Sequence, residues 1–76
     1  MQNNKQNIRV TFSDAEMFLL KYLNENEKIT IKEFVQKAEI NRREAERILV
    51  NFTLINMIKY EITEKELIFT LFEENT

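Results

Sequence analysis

The apolar residues of this chain are spaced three and four positions apart over most of its length and alternate with polar residues near both ends. The first spacing is typical of an amphipathic helix, and alternation is typical of a strand with one buried face. Alternation over residues 8–12 predicts a short N-terminal strand, and the polar residues 1–7 predict a disordered tail. A first helix is predicted over residues 13–24, with its buried face formed by Ala15, Phe18, Leu19, Tyr22 and Leu23.

The central part of the chain predicts a helix-turn-helix, with helices at about residues 31–37 and 42–56 and a turn at residues 38–41. We expect Ile40 to fill the space between these helices and Ile29 to add a brief strand before the second helix. Val50 and Leu54 point outward, and we expect them to pack against the C-terminal hairpin. The inward positions are Ile31, Phe34, Val35 and Ala38, followed by Ala45, Ile48, Leu49, Phe52 and Ile55.

Each predicted helix begins with a capping residue that is followed three positions later by Glu. The capping side chain accepts a hydrogen bond from an early N–H of the helix, and the Glu side chain bonds back to the cap. Apolar pairs on either side of a cap also predict hydrophobic staples at the first two helices. The capping pairs are Ser13 with Glu16, Thr30 with Glu33, and Asn41 with Glu44, and the staples are Phe12 with Met17 and Ile29 with Phe34.

The C-terminal part of the chain predicts a β-hairpin, with strands at residues 57–62 and 67–72 and a turn at residues 63–66. Its last strand is apolar on both faces, which leaves open whether these residues belong to the core or to a homodimer interface. Met17 and Leu20 lie off the main apolar stripe of the first helix, which also permits pairing of two copies. The candidate dimer interface is Met17, Leu20, Ile68, Phe69 and Phe72, and residues 73–76 are expected to fray.

Composition narrows the possible functions. The 76 residues include no Cys, His, Gly or Pro, which removes thiolate and imidazole chemistry and the Gly-rich loops that hold nucleotide phosphates. We therefore expect no catalytic site, no metal, no cofactor and no small-molecule ligand. No apolar run is long enough for a membrane span and no signal peptide is recognisable, which favours a cytoplasmic protein without a membrane partner.

The order of strand, helix, helix, turn, helix and hairpin resembles the winged helix-turn-helix DNA-binding superfamily, and residues 33–49 carry the resemblance. The resemblance covers about residues 13–72 and implies an α+β, mostly α fold. That fold has three helices, a C-terminal β-hairpin wing and a short N-terminal strand, in a domain of residues 8–72. Two positions where that superfamily often has Gly, in the turn and before the wing, fall on Glu39 and Asn56.

In that superfamily the third helix typically enters the major groove of DNA and the wing contacts the backbone or minor groove. The resemblance therefore implies a small transcriptional regulator that binds double-stranded DNA. The surplus apolar surface on the first helix and the last strand predicts that it does so as a homodimer, and its length and composition suit a bacterial or phage protein. Arg and Asn side chains recognise guanine and adenine edges, and Lys and Thr bind phosphates. The candidate DNA-binding residues are Thr30, Lys32, Lys37, Asn41, Arg42, Arg43, Arg47 and Asn51.

The distribution of charge complicates this interpretation and leaves a second one open. Residues 39–56 contain three Arg and three Glu, and residues 57–76 contain two Lys and five Glu, a net charge of −3. Arg42, Arg43 and Arg47 then belong either to a solvated helix face with internal ion pairs or to a DNA-binding surface. The alternative function is a winged-helix module that binds protein rather than DNA, using the acidic hairpin and the apolar last strand.

Overall fold

A computed structural model describes residues 11–73 and confirms an α+β, mostly helical fold of the winged-helix type. Of the predicted N-terminal strand, residues 8–10 lie outside the described residues, and Thr11 and Phe12 form no strand. The predicted tail and residues 74–76 of the expected frayed end also lie outside the description. The elements are α1 Asp14–Asn26, β1 Lys28–Thr30, α2 Ile31–Ala38, α3 Arg42–Leu54, β2 Ile58–Ile62 and β3 Leu67–Leu71.

The three strands form one antiparallel sheet in the order β1-β3-β2, so the last strand of the chain is the central one. Ile29 of β1 and Tyr60 of β2 lie opposite Phe69 of β3, on either side of it. The brief strand that was expected at Ile29 is therefore confirmed, and it pairs with β3. Because side chains opposite each other share a face, these three residues lie on the same face of the sheet.

The core lies between the three helices and this face of the sheet. All of its fully buried side chains are apolar, and the described residues include no buried polar or charged side chain. Ile40 packs against the core from the turn between α2 and α3, as predicted. The buried residues are Leu19, Leu23, Ile29, Phe34, Ala45, Ile48, Leu49, Phe52, Ile58 and Phe69.

The predicted helix caps are present, with one difference at α3. Ser13 and Thr30 each form a complete capping box with the Glu three residues later. The Asn41 side chain accepts a hydrogen bond from the backbone N–H of Glu44 at 2.8 Å. The Glu44 carboxylate, however, bonds to the Arg47 side chain. The cap of α3 thus has only the Asn41 half of the box.

Three packing predictions are wrong in detail. Ile55 is 60% exposed instead of inward, because α3 ends at Leu54 and Ile55 is its C-cap. Met17 is exposed and Phe12 packs edge-to-face on Phe52, with ring centroids 5.8 Å apart, which disagrees with a staple between Phe12 and Met17. Phe69 belongs to the core of a single copy, so it offers no surface to the predicted dimer interface.

Within residues 11–73, three residues have positive φ, and two of them occupy the positions where the resemblance expects Gly. Glu39 has φ 57° and ψ 48° at the end of α2, and Asn56 has φ 63° before β2. Glu27 has φ 73° at the end of α1. A left-handed conformation costs a residue with a Cβ about 1 to 2 kcal/mol. The turns therefore follow the path expected of Gly, at a cost in stability.

We expect Glu39→Gly to stabilise the protein by about 0.5 to 1 kcal/mol, because the relief of left-handed strain exceeds the extra entropy of Gly in the unfolded chain. The matched control is Gln36→Gly on the exposed side of α2, which should destabilise by about 1 kcal/mol. Urea unfolding followed by circular dichroism measures both. Equal destabilisation by the two substitutions would contradict a strained Glu39.

Candidate functional site

The exposed front of α3 changes from basic to apolar along its length. Arg43, Arg47, Val50 and Leu54 follow one another at spacings of four, three and four residues, so they lie on one face of the helix. Val50 is 56% exposed and Leu54 is 74% exposed. The expectation that the hairpin buries these two side chains is therefore wrong, and they form part of the protein surface.

The wing adds two more exposed apolar side chains beside this face. Tyr60 is 55% exposed and Ile62 is 75% exposed, whereas Ile58 of the same strand is buried. Because successive side chains of a strand point to opposite faces, these three side chains share the face of β2 that is directed toward the helices. Of the three, Ile58 alone is buried, so β2 starts beneath α3 and its later residues extend past the helix. We call Val50, Leu54, Tyr60 and Ile62 the α3–wing surface.

A groove with a volume of about 260 Å³ lies within this surface, between α3 and the wing. Its walls expose apolar atoms only. The Thr53 hydroxyl donates a hydrogen bond to the Leu49 carbonyl at 2.8 Å, so its polar atom is satisfied inside the helix. A groove of this kind can bind an apolar side chain but provides no hydrogen bond to orient a polar ligand. It is lined by Val50, Thr53, Leu54, Tyr60, Leu67 and Phe69.

Two of the three arginines predicted to bind DNA form ion pairs within α3. Arg42 Nε lies 3.0 Å from Glu46 Oε2. Arg47 donates two hydrogen bonds to the Glu44 carboxylate, from Nε at 3.2 Å and from Nη2 at 2.7 Å. This paired geometry lowers the pKa of Glu44 and raises the pKa of Arg47, chiefly through the hydrogen bonds between the two side chains. Both carboxylates reduce the positive charge that the helix presents to a phosphate.

The remaining candidate DNA-binding residues are divided between capping and exposed positions. The Thr30 and Asn41 side-chain oxygens accept the capping hydrogen bonds of α2 and α3. Among residues 11–73, Arg43 has no carboxylate partner. Lys32, Lys37, Arg43 and Asn51 are exposed.

Acidic residues of the wing lie close to the expected phosphate contacts. Glu66 lines a shallow depression together with Lys32 and Arg42, between the start of α2, α3 and the wing. Glu61 and Glu64 are exposed on the same hairpin. A carboxylate at this position repels a DNA phosphate, so the structure does not assemble a strongly positive surface here.

Residues 11–73 contain no group of three or more acidic side chains that could hold a metal ion. None of the helices in that part of the chain is long and apolar enough to cross a membrane. The α3–wing surface, with its exposed apolar side chains and its groove, is therefore the candidate functional site.

Sequence reasoning identified Val50 and Leu54 as outward residues but did not predict the α3–wing surface. The alternation of Ile58, Tyr60 and Ile62 suggested a strand with one buried face, which holds for Ile58 only. The available signal was the apolar character of outward positions on α3. That signal was not sufficient, because the sequence does not show how far the hairpin extends beyond α3.

No protein-family model and no curated protein sequence matches this chain. Among the solved structures that match its fold are two described as dissimilatory sulfite reductase D, one of them determined by neutron crystallography. The neutron structure has a TM-score of 0.69 and 17% identity, over 80% of this chain and 97% of the other. The second structure has a TM-score of 0.67 and 17% identity, over 79% of this chain and 88% of the other.

These matches correct the resemblance drawn from the sequence. Both matching structures are named for a sulfite reductase protein and neither name refers to DNA. At 17% identity the likeness supports the fold and not a shared activity. The winged-helix architecture is retained, and the assignment to a DNA-binding superfamily is wrong.

We expect Arg47→Ala to raise the pKa of Glu44 toward its ordinary value, because the substitution removes both hydrogen bonds to the carboxylate. A side-chain NMR titration of Glu44 measures this change. Since the pKa of Glu44 is lowered in the folded chain, the contribution of the pair to stability is present at neutral pH and is lost as pH falls through that lowered pKa. Arg43→Ala is the control and should leave Glu44 unchanged. Equal pKa values of Glu44 in both variants would show that Arg47 is not its partner in solution.

Proposed function

We propose that this chain is a non-catalytic winged-helix module that binds another protein through the α3–wing surface. The observation that carries the proposal is the apolar groove between the second half of α3 and the wing. The module contributes a rigid apolar surface and no reactive group. The ligand in this proposal is a protein and not DNA.

The apolar character of the surface supports a protein partner. Leu54 and Tyr60 both line the groove and are 74% and 55% exposed, and Ile62 of the same strand as Tyr60 is 75% exposed. Full burial of a Leu or Ile side chain contributes about 1.5 to 3 kcal/mol. A few such side chains can therefore supply the central part of a protein interface, where aromatic and aliphatic residues contribute most of the binding energy.

The electrostatics of the same region also favour protein over nucleic acid. Local ion pairs with Glu46 and Glu44 already occupy the guanidinium groups of Arg42 and Arg47. A phosphate would have to compete with these carboxylates, and the acidic residues of the wing would repel it. A protein partner can instead place polar groups around the groove and leave the helix pairs intact.

The shape of the groove indicates the chemistry of the partner. It is an open channel between a helix and a hairpin, and its walls provide only van der Waals contacts. An amphipathic helix that presents apolar side chains at spacings of three and four residues suits such a channel. We therefore take the partner segment to be a short amphipathic helix with large aliphatic or aromatic anchors.

A library of displayed helical peptides with a randomised apolar face tests this function. We expect the selected peptides to carry Leu, Ile or Phe anchors and to shift the amide NMR signals of Val50, Leu54 and Tyr60. Leu54→Glu should weaken binding at least about tenfold, because a carboxylate would be desolvated in the groove. Met17→Glu is the matched control, since Met17 is an exposed apolar residue of α1 away from the groove. Binding that Leu54→Glu and Met17→Glu weaken equally would contradict the proposal.

A titration with duplex DNA of mixed sequence at low salt provides the second test. We expect no saturable binding, because the exposed arginines are largely paired and the wing is acidic. Arg43→Ala should therefore leave the titration unchanged. Tight binding that falls steeply with added salt and is weakened by Arg43→Ala would overturn the proposed function in favour of nucleic acid.

A further inference from the structure

The two edges of the sheet differ in their capacity to accept another strand. β1 has only three residues and continues directly into α2 through the Thr30 cap. β2 has five residues in regular register with β3, and nothing among residues 11–73 pairs with its outer edge. An unpaired, regular edge strand of this kind is a template for pairing with a further strand. β2 has none of the bulges or prolines that commonly protect such an edge.

The hydrogen bonds of the hairpin determine which backbone groups of β2 face outward. The Met57 carbonyl accepts from the N–H of Phe72 at 3.0 Å, and the N–H of Thr63 donates to the Glu66 carbonyl at 2.9 Å. Because the backbone groups of successive residues point to opposite sides of an antiparallel strand, Lys59 and Glu61 also bond toward β3. The N–H and C=O groups of Ile58, Tyr60 and Ile62 therefore point to the outer edge.

The sequence of β2 is complementary to itself when it runs antiparallel. It consists of Ile58, Lys59, Tyr60, Glu61 and Ile62, with Tyr60 at the centre. Pairing about a two-fold axis at Tyr60 places Lys59 opposite the partner's Glu61, and Ile58 opposite the partner's Ile62. An axis at Lys59 or Glu61 would instead place like charges opposite each other, which destabilises a sheet.

We propose that two copies of this chain pair through the outer edges of β2, antiparallel about a two-fold axis at Tyr60. The two three-stranded sheets then form one continuous sheet. In this register every outward N–H and C=O group of Ile58, Tyr60 and Ile62 has a backbone partner in the other copy. The two pairs of Lys59 and Glu61 lie on the sheet face opposite the helices and favour this register over its neighbours.

The pairing also covers exposed apolar surface. Tyr60 of one copy lies beside Tyr60 of the other on the face that carries the helices, and each Ile62 lies beside the partner's Ile58. A two-fold interface of this type uses the same strand from both copies. The inference goes beyond the proposed function, because it depends on the backbone edge and the charges of β2. Partner binding depends chiefly on Val50 and Leu54 of α3, and Tyr60 contributes to both surfaces.

This proposal places the dimer interface on a different strand from the one predicted from the sequence. Sequence reasoning placed it on α1 and the last strand, but β3 is paired on both sides and cannot be a sheet edge. Met17 and Phe72 remain exposed, while Leu20 and Ile68 are half-buried. The strand that is free to pair is β2.

Charge reversal within β2 tests the register. Sedimentation equilibrium should give a dimer for the unmodified chain at micromolar concentrations. Lys59→Glu or Glu61→Lys alone should weaken the dimer on the order of tenfold or more, because each creates two like-charge pairs across the axis. The double variant K59E/E61K should restore it. A mixture of the two single variants should form a heterodimer, in which every facing pair again has opposite charges.

Controls separate this effect from a general change in charge or folding. Lys65→Glu and Glu64→Lys make the same charge changes in the exposed turn of the hairpin and should leave the dimer unchanged. Circular dichroism should show the same fold for all variants. A monomer at every concentration for the unmodified chain, or failure of the double variant to restore the dimer, would overturn the proposal. Leu54→Glu should weaken peptide binding and leave the dimer intact, so the two proposals can fail separately.

Discussion

The pairing of β3 with strands on both sides is the constraint on which the rest of the structure depends. Phe69 lies between Ile29 and Tyr60 in the sheet and is buried under the helices. This position ties the start of α2 to the hairpin, because β1 leads directly into the Thr30 cap. It also leaves β2 as an outer strand whose distal half extends beyond α3. The core and the exposed α3–wing surface therefore follow from the same strand order.

Four of the five charged side chains of α3 are paired within the helix, and Arg43 is the exception. Arg42 with Glu46, and Arg47 with Glu44, are at the spacings of four and three residues that bring helix side chains together. Exposed pairs of this kind contribute little to stability, typically less than about 1 kcal/mol. Their main consequence is electrostatic, since they reduce the positive potential at the front of the helix. A helix with neutralised charges and apolar residues in its second half suits contact with protein.

Much of the fold could be predicted from the sequence because its signals are local. The Ser13, Thr30 and Asn41 caps identify the helix starts, and Glu39 and Asn56 adopt the left-handed conformations expected at those positions. The strand order and the surface depend on contacts between distant segments. Nothing near Phe69 indicates that it pairs on both sides, and nothing near Ile62 indicates that no helix covers it. The sequence left open whether the arginines of α3 form internal ion pairs, since a list of arginines does not show which of them are paired.

The exposed apolar residues of this surface are difficult to explain by folding alone. Core residues such as Phe34 and Ile48 are fully buried, and their truncation would cost several kcal/mol, roughly 2 to 5 for removal of a large side chain. Leu54 and Ile62, in contrast, retain about three quarters of their accessible surface, at 74% and 75%. Replacement by Lys at such positions changes stability little, typically by no more than about 0.5 kcal/mol. Apolar side chains there expose surface to water without a matching gain within the single chain. A partner that covers them provides that gain, which is why binding explains the α3–wing surface better than folding does.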